Sequence, residues 1–228
     1  MELYLANDEL DWKIKELRQK IRLSMNGIVS ELMTKNGIIY KKNYGVSIPR
    51  IIEIAKPYIP DHVLAQRLWA MEIRETMMMA ALIEPIDNFP PDLAKNWIGK
   101  IKQLDLLEFT SLYLFSKLPY ANALSIDCVF SDVLWDQITG FMIASRISNI
   151  LNEKEIQKLT DKAFELSETN DYQLYKSIAT CLSRFCRKDK ITALKISALI
   201  EKNANPHNTG HQYISETVKY EIKFLNLL

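Results

Sequence analysis

Glycine is scarce in this 228-residue chain, with 6 residues in all. Phosphate cradles built on clustered glycines are therefore excluded, and no GxxxxGK[ST] or GxGxxG element occurs. HExxH and GxSxG are absent too, which removes the familiar zinc-hydrolase and serine-hydrolase signatures. Cysteine is limited to Cys128, Cys181 and Cys186. An odd number without zinc spacing reads as buried thiols in a reducing cytoplasm, with no metal site. No apolar run reaches the ~20 residues that a membrane helix needs. The opening MELYLANDELDWK is acidic and carries no signal-peptide pattern. The expectation is a soluble, cytoplasmic protein without a cofactor and without a membrane partner. Charge of one sign is also missing. Lys and Arg number 29 against 28 Asp and Glu, a net charge of +1. Nucleic-acid binding would need a local patch.

What remains is 48% hydrophobic and periodic. From about Asp8 to Asn36, Ile14, Leu17, Ile21, Met25, Ile28 and Leu32 recur at intervals of three or four, predicting one long helix stopped at Asn36-Gly37. Ser47 caps a second helix, ended by Pro57. Pro60-Asp61 opens a third, and Pro85 closes a fourth containing TMMMAALI, whose methionines read as adaptable core. Pro90-Pro91-Asp92 starts a helix through Trp97 to Ile101. IKQLDLLEFTSLYLF follows, ended by Pro119. Asp132 is read as the cap of a long helix from about Val133 to Leu151. Four more segments lie near 153–168, 171–187, 190–203 and 209–228. Gly99 and Gly140 sit alone in helical patterns and suggest close helix packing. NGIIYKKNYGV is the best strand candidate, but it has no partner. The fold class is all-α: a stack of helical hairpins with an irregular repeat, forming a single domain over residues 1–228.

Charge is uneven along this stack. Residues 1–59 carry a net +3, residues 60–136 a net −5, residues 137–171 a net −2 and residues 172–228 a net +5. A polyanion would be held at the ends and disfavoured in the middle.

Five stretches then appear in order: YGVSIPRIIEIAK from Tyr44, LAQRLWAMEIRETMMMAALI, NWIGKIKQLDLLEFTSLYLF, LWDQITGFMIAS and LYKSIATCLSRFCRKDK. Together they resemble the AlkD-like DNA alkylation repair glycosylases, which are built of HEAT-like helical repeats. The resemblance covers residues 44 to about 190. It implies a curved stack of antiparallel HEAT-like hairpins with a concave groove for DNA. It also implies chemistry like glycoside hydrolysis, in which a carboxylate and aromatic faces stabilise a sugar cation and an arginine grips a phosphate.

Carried over position by position, that set is mostly substituted. The tryptophan of the family's WD..D motif falls on Leu104, and its first aspartate is kept as Asp105. The second aspartate falls on Glu108. The paired arginines fall on Gln137 and Ile138, and a late tryptophan falls on Thr180. Asp105 and Glu108, three apart, share one helix face. Three readings of Glu108 stay open: a capping or solvated carboxylate, a surviving catalytic carboxylate, and a polar contact in a binding cleft.

Basic candidates for DNA contact are Arg184, Arg187, Lys188 and Lys190 at a helix end, and Lys41 and Lys42 beside Tyr40 and Tyr44 in a loop. Solvated helix-end charges explain the first group equally well. His207 and His211 read as loop and helix-start residues. The expectation is a DNA alkylation repair family protein that binds duplex DNA with weak or no base excision. The alternatives are an active glycosylase using Glu108 and a scaffold that binds a protein partner.

Overall fold

The structure is a computed structural model and describes residues 8–226. Thirteen α-helices occupy them: α1 (Asp8–Leu23), α2 (Gly27–Lys35), α3 (Ile48–Ala55), α4 (His62–Ala70), α5 (Arg74–Ile83), α6 (Pro91–Lys100), α7 (Leu104–Tyr113), α8 (Ala121–Val129), α9 (Leu134–Arg146), α10 (Glu153–Glu165), α11 (Tyr172–Cys186), α12 (Lys190–Lys202) and α13 (Thr209–Phe224). Among the described residues there is no sheet. The strand candidate reduces to one isolated parallel bridge between Lys42 and Ile73.

Among the described residues, those up to Ala94, with Ile101–Leu114, form one compact unit, and Lys95–Lys100 with those from Phe115 onward form another. In the first unit α4 packs on α5, α5 also meets α3 and α7, and α1 covers α3 and α4. Its core holds Leu17, Ile21, Ile51, Leu64, Leu68, Trp69 and Met78, each at most 2% exposed. Asp61 caps the start of α4, accepting from the Leu64 N–H at 3.0 Å. In the second unit α11 is the central helix, packed against α9, α12 and α13, while α8 pairs with α9. A capping box opens α10: Asn152 accepts from the Glu155 N–H at 3.0 Å, and Glu155 accepts from the Asn152 N–H at 2.9 Å.

The tertiary structure corrects four sequence expectations. The helix read from Asp8 to Asn36 is two helices. Asn26 breaks it by capping the Val29 N–H at 3.1 Å, while its own N–H donates to the Tyr44 carbonyl at 2.8 Å. The apolar period ran through the break because α2 keeps its apolar side chains and buries none of them. The helix read from Val133 to Leu151 ends at Arg146, and its cap is Val133, not Asp132. Ala121–Val129, between Pro119 and that helix, is a further helix. Gly99 has no atom near where a Cβ would stand, so its role in packing falls away.

Gly140 does carry a close crossing. A Cβ there would lie 2.6 Å from the Val129 backbone nitrogen and 2.7 Å from the Ser125 carbonyl oxygen. These are backbone atoms of α8, so α9 would have to lift away. Gly140→Ala is expected to destabilise the protein by about 1–3 kcal/mol, the usual range for overpacking, read as a lowered melting temperature. A second expectation concerns His211, 4% exposed at the start of α13. Burial pulls its pKa below the usual 6.5, against the opposing field of Glu168. The unfolded chain therefore takes up the proton first. Stability is complete above pH 6.5 and declines as pH falls toward the lowered folded value. Melting curves from pH 7.5 to pH 5 should show this decline, and His211→Leu should flatten it.

Candidate functional site

The first unit builds its polar centre where α5 begins. Arg74 and Glu75 are the first two residues of α5, 5% and 0% exposed. The Arg74 Nε donates to Asp105 Oδ2 at 2.8 Å, and its Nη1 donates to the Val46 carbonyl at 3.1 Å and to Glu75 Oε1 at 3.3 Å. Glu75 accepts from the backbone N–H groups of Tyr44, at 3.1 and 3.2 Å, and of Val46, at 3.3 Å. Tyr40 completes the cluster, its hydroxyl donating to Asp105 Oδ1 at 2.6 Å. Burial, then the neighbouring Asp105 charge, pushes the Tyr40 phenol above its ordinary pKa.

These bonds fix the loop at residues 37–46. The Arg74 N–H donates to the Lys42 carbonyl at 3.1 Å, and Gln103 Nε2 donates to the Ile39 carbonyl at 2.9 Å. Gly45 has φ +67°, and a Cβ there would lie 2.2 Å from the Asn26 carbonyl oxygen. Only glycine satisfies both the turn and the approach to α2. The fixed loop presents Lys41 and Lys42, both exposed. Lys41 Nζ stands 3.9 Å from Glu72, and Lys42 Nζ stands 4.9 Å from the Tyr44 ring centroid. Burial would raise the Tyr44 phenol's pKa, but hydrogen bonds from Lys42 and Arg22 outweigh it and bring the pKa below its ordinary value.

The two carboxylates of α7 thus part company. Asp105 is half-buried, and both its oxygens are taken, one by Arg74 and one by Tyr40. Glu108, one turn on, is exposed. Leu104, the first residue of α7, is half-buried.

In the second unit Gln137 donates from Nε2 to the Ser131 carbonyl at 2.8 Å. Ile138 is core, 1% exposed. Thr180 is exposed, and its hydroxyl donates to the Lys176 carbonyl of its own helix at 2.9 Å. Of the four basic candidates here, Arg187 pairs with Glu221 of α13 at 2.5 Å and Lys188 donates to the Leu151 carbonyl. Arg184 and Lys190 are exposed at the end of α11 and the start of α12. The structure adds Tyr172, Tyr175 and Tyr213, whose ring centroids lie 5.1 to 6.3 Å apart across α11 and α13. Lys176 Nζ stands 5.8 Å over the half-exposed Tyr172 ring. Tyr172, Lys176, Thr180 and Arg184 follow at intervals of four along α11, so one face carries an aromatic ring and two cations.

Sequence reasoning missed Arg74 and Glu75, and placed Tyr40 beside Lys41 without its bond to Asp105. The available signal was an Arg-Glu pair opening the otherwise apolar IRETMMMAALI. Among the tryptophans, Trp69 and Trp97 are core, at 2% and 1% exposed, and Trp12 is 61% exposed on α1. All three cysteines are buried. Burial raises the thiols of Cys128 and Cys186 to about 12 and that of Cys181 well above its usual value, which suppresses thiolate chemistry. Among the described residues no group of three or more His, Cys, Asp or Glu could hold a metal ion, and no helix is long and apolar enough to cross a membrane.

With this geometry the chain belongs to the class of all-α HEAT-like repeat folds. A solved structure described as "a new family of proteins related to the HEAT-like repeat DNA glycosylases with affinity for branched DNA structures" matches it with a TM-score of 0.78 over 93% of this chain and 95% of that one, at 14% identity. Neither the protein-family models nor the curated protein sequences contain a match.

The buried cluster yields one expectation. Glu75→Ala would leave Arg74 short of a counter-charge and strand two backbone donors. Unfolding free energy should fall by about 3–5 kcal/mol, the range for breaking a buried ion pair from one side. Hydrogen exchange at the Tyr44 and Val46 amides should rise more than exchange in the core of α4.

Proposed function

We propose that this protein is a DNA-binding relative of the HEAT-like repeat glycosylases that holds DNA without efficient base excision. The observation that carries the reading is what stands at the positions the resemblance assigns to chemistry. Leu104 and Thr180 offer no π face to a sugar cation. Ile138 is buried apolar core, and Gln137 carries no charge to grip a phosphate. Asp105 is the counter-ion of Arg74 and the acceptor of Tyr40. Glu108 keeps a carboxylate, but one carboxylate without aromatic walls supplies little of the electrostatic stabilisation that excision needs. The fold match supports the relationship, and the matched protein's described affinity for branched DNA supports binding as the retained property. Lys41 and Lys42 in the first unit, and Arg184, Arg187, Lys188 and Lys190 in the second, are the proposed phosphate contacts. The pairing of Arg187 with Glu221 makes it the weakest of these.

One observation favours a second reading, a scaffold for a protein partner. α2 buries none of its residues, and Met25, Ile28 and Leu32 are 64%, 82% and 56% exposed around it.

An excision assay tests the main reading. Purified protein incubated with DNA containing N7-methylguanine should release no base above the uncatalysed background, and Glu108→Gln should behave identically. Rapid release by the wild type, lost in Glu108→Gln, would establish an active glycosylase and overturn the reading.

A further inference from the structure

The charges of α1 divide by face. Lys13 pairs with Glu9 at 3.0 Å and with Asp61 at 3.3 Å, and Lys20 pairs with Glu16 at 2.9 Å and reaches the Tyr58 hydroxyl at 3.1 Å. These four α1 residues share one side of the helix, and their charges cancel. Lys15, Arg18 and Arg22 fall within about 60° of one another on the opposite side, at 100° per residue. All three are exposed, and they line an open groove between α1 and α4 together with Arg67 and Asp11. Asp11, the acidic residue of that groove, is held by Arg67 at 3.4 Å. Asp8 lies on this side of α1 as well, so Lys15, Arg18, Arg22 and Arg67 exceed the described carboxylates here by two charges. The groove also continues toward Tyr44, whose phenol the Arg22 charge helps hold below its ordinary pKa and over whose ring Lys42 stands. Beside this strip, about 60° round the helix from Lys15, Trp12 is 61% exposed.

We propose that this α1–α4 groove is a track for the phosphodiester backbone of a nucleic-acid strand, with Trp12 stacking on an unpaired base next to it. The inference rests on the DNA-binding reading above and deepens it by naming a surface and a strand state. From Lys15 to Arg22 the strip runs about 10.5 Å, at 1.5 Å per helical residue. One strand of a duplex carries a phosphate every ~3.4 Å of its axis, so the strip spans about three phosphates. Guanidinium forks suit phosphate oxygens. An exposed indole beside cations suits an unstacked base, a surface that an acidic polypeptide does not regularly supply.

The test is fluorescence anisotropy across a salt series, with a forked DNA bearing unpaired arms and a fully paired duplex of equal length. Each of three phosphate contacts should contribute about 0.7–0.9 to the slope of log K against log salt. The triple variant Lys15→Gln, Arg18→Gln, Arg22→Gln should therefore flatten the slope by about 2–3. Trp12→Ala should weaken forked-DNA binding roughly tenfold and leave the paired duplex little changed. Lys13→Gln with Lys20→Gln removes charge from the opposite face and should leave the slope intact. Thermal melts of each variant separate lost contact from lost fold. If the wild type binds with a steep salt dependence that the triple variant retains, this groove is not the track, while DNA binding stands. Absence of salt-sensitive binding by the wild type would remove the DNA reading itself. Polyglutamate displacing forked DNA at equal charge concentration would mark the groove as one for acidic polypeptides and overturn the proposal.

Discussion

A buried guanidinium is the constraint on which the first unit depends. Arg74 lies almost wholly out of water at the start of α5, where an uncompensated charge would cost several kcal/mol. Asp105 and Glu75 compensate it, and the Val46 carbonyl takes one more of its donors. Such a cluster adds little net stability over a well-packed apolar substitute. Its effect is positional. Each carboxylate oxygen not used by Arg74 alone receives a loop donor, from Tyr40, Tyr44 or Val46, so the loop has one low-energy placement. Lys41, Lys42 and Tyr44 are presented by that placement.

The same cluster bears on chemistry. A carboxylate that serves as counter-ion to a buried arginine and acceptor to a half-buried phenol is not available to position water. Asp105 is committed to architecture, with one oxygen on Arg74 and the other on Tyr40. In the second unit, Ile138 sits in the core of α9 and the Thr180 hydroxyl turns back onto its own helix. The exposed surfaces of both units carry cations beside aromatic rings, Lys42 over Tyr44 in the first and Lys176 over Tyr172 in the second.

Most of the helices were legible because their apolar residues recur at 3.6-residue spacing and their starts carry caps such as Asp61, Asn152, Asp171 and Asp189. The break at Asn26 was not, because the period continues through it and its cause is a hydrogen bond to Tyr44, eighteen residues away. The basic residues of α1 were visible as residues but not as a surface, since only the pairing of Lys13 with Asp61 and Lys20 with Tyr58 shows which cations are consumed.

By itself the sequence determined the all-α class, because periodicity is a local property of the chain. Where each carboxylate lies was decided only by tertiary structure. Asp105 and Glu108 are near neighbours of similar chemistry, yet one is half-buried between Arg74 and Tyr40 and the other is exposed. That difference arises from residues thirty and more positions distant, brought together by packing α5 against α7, and no reading of local pattern contains it.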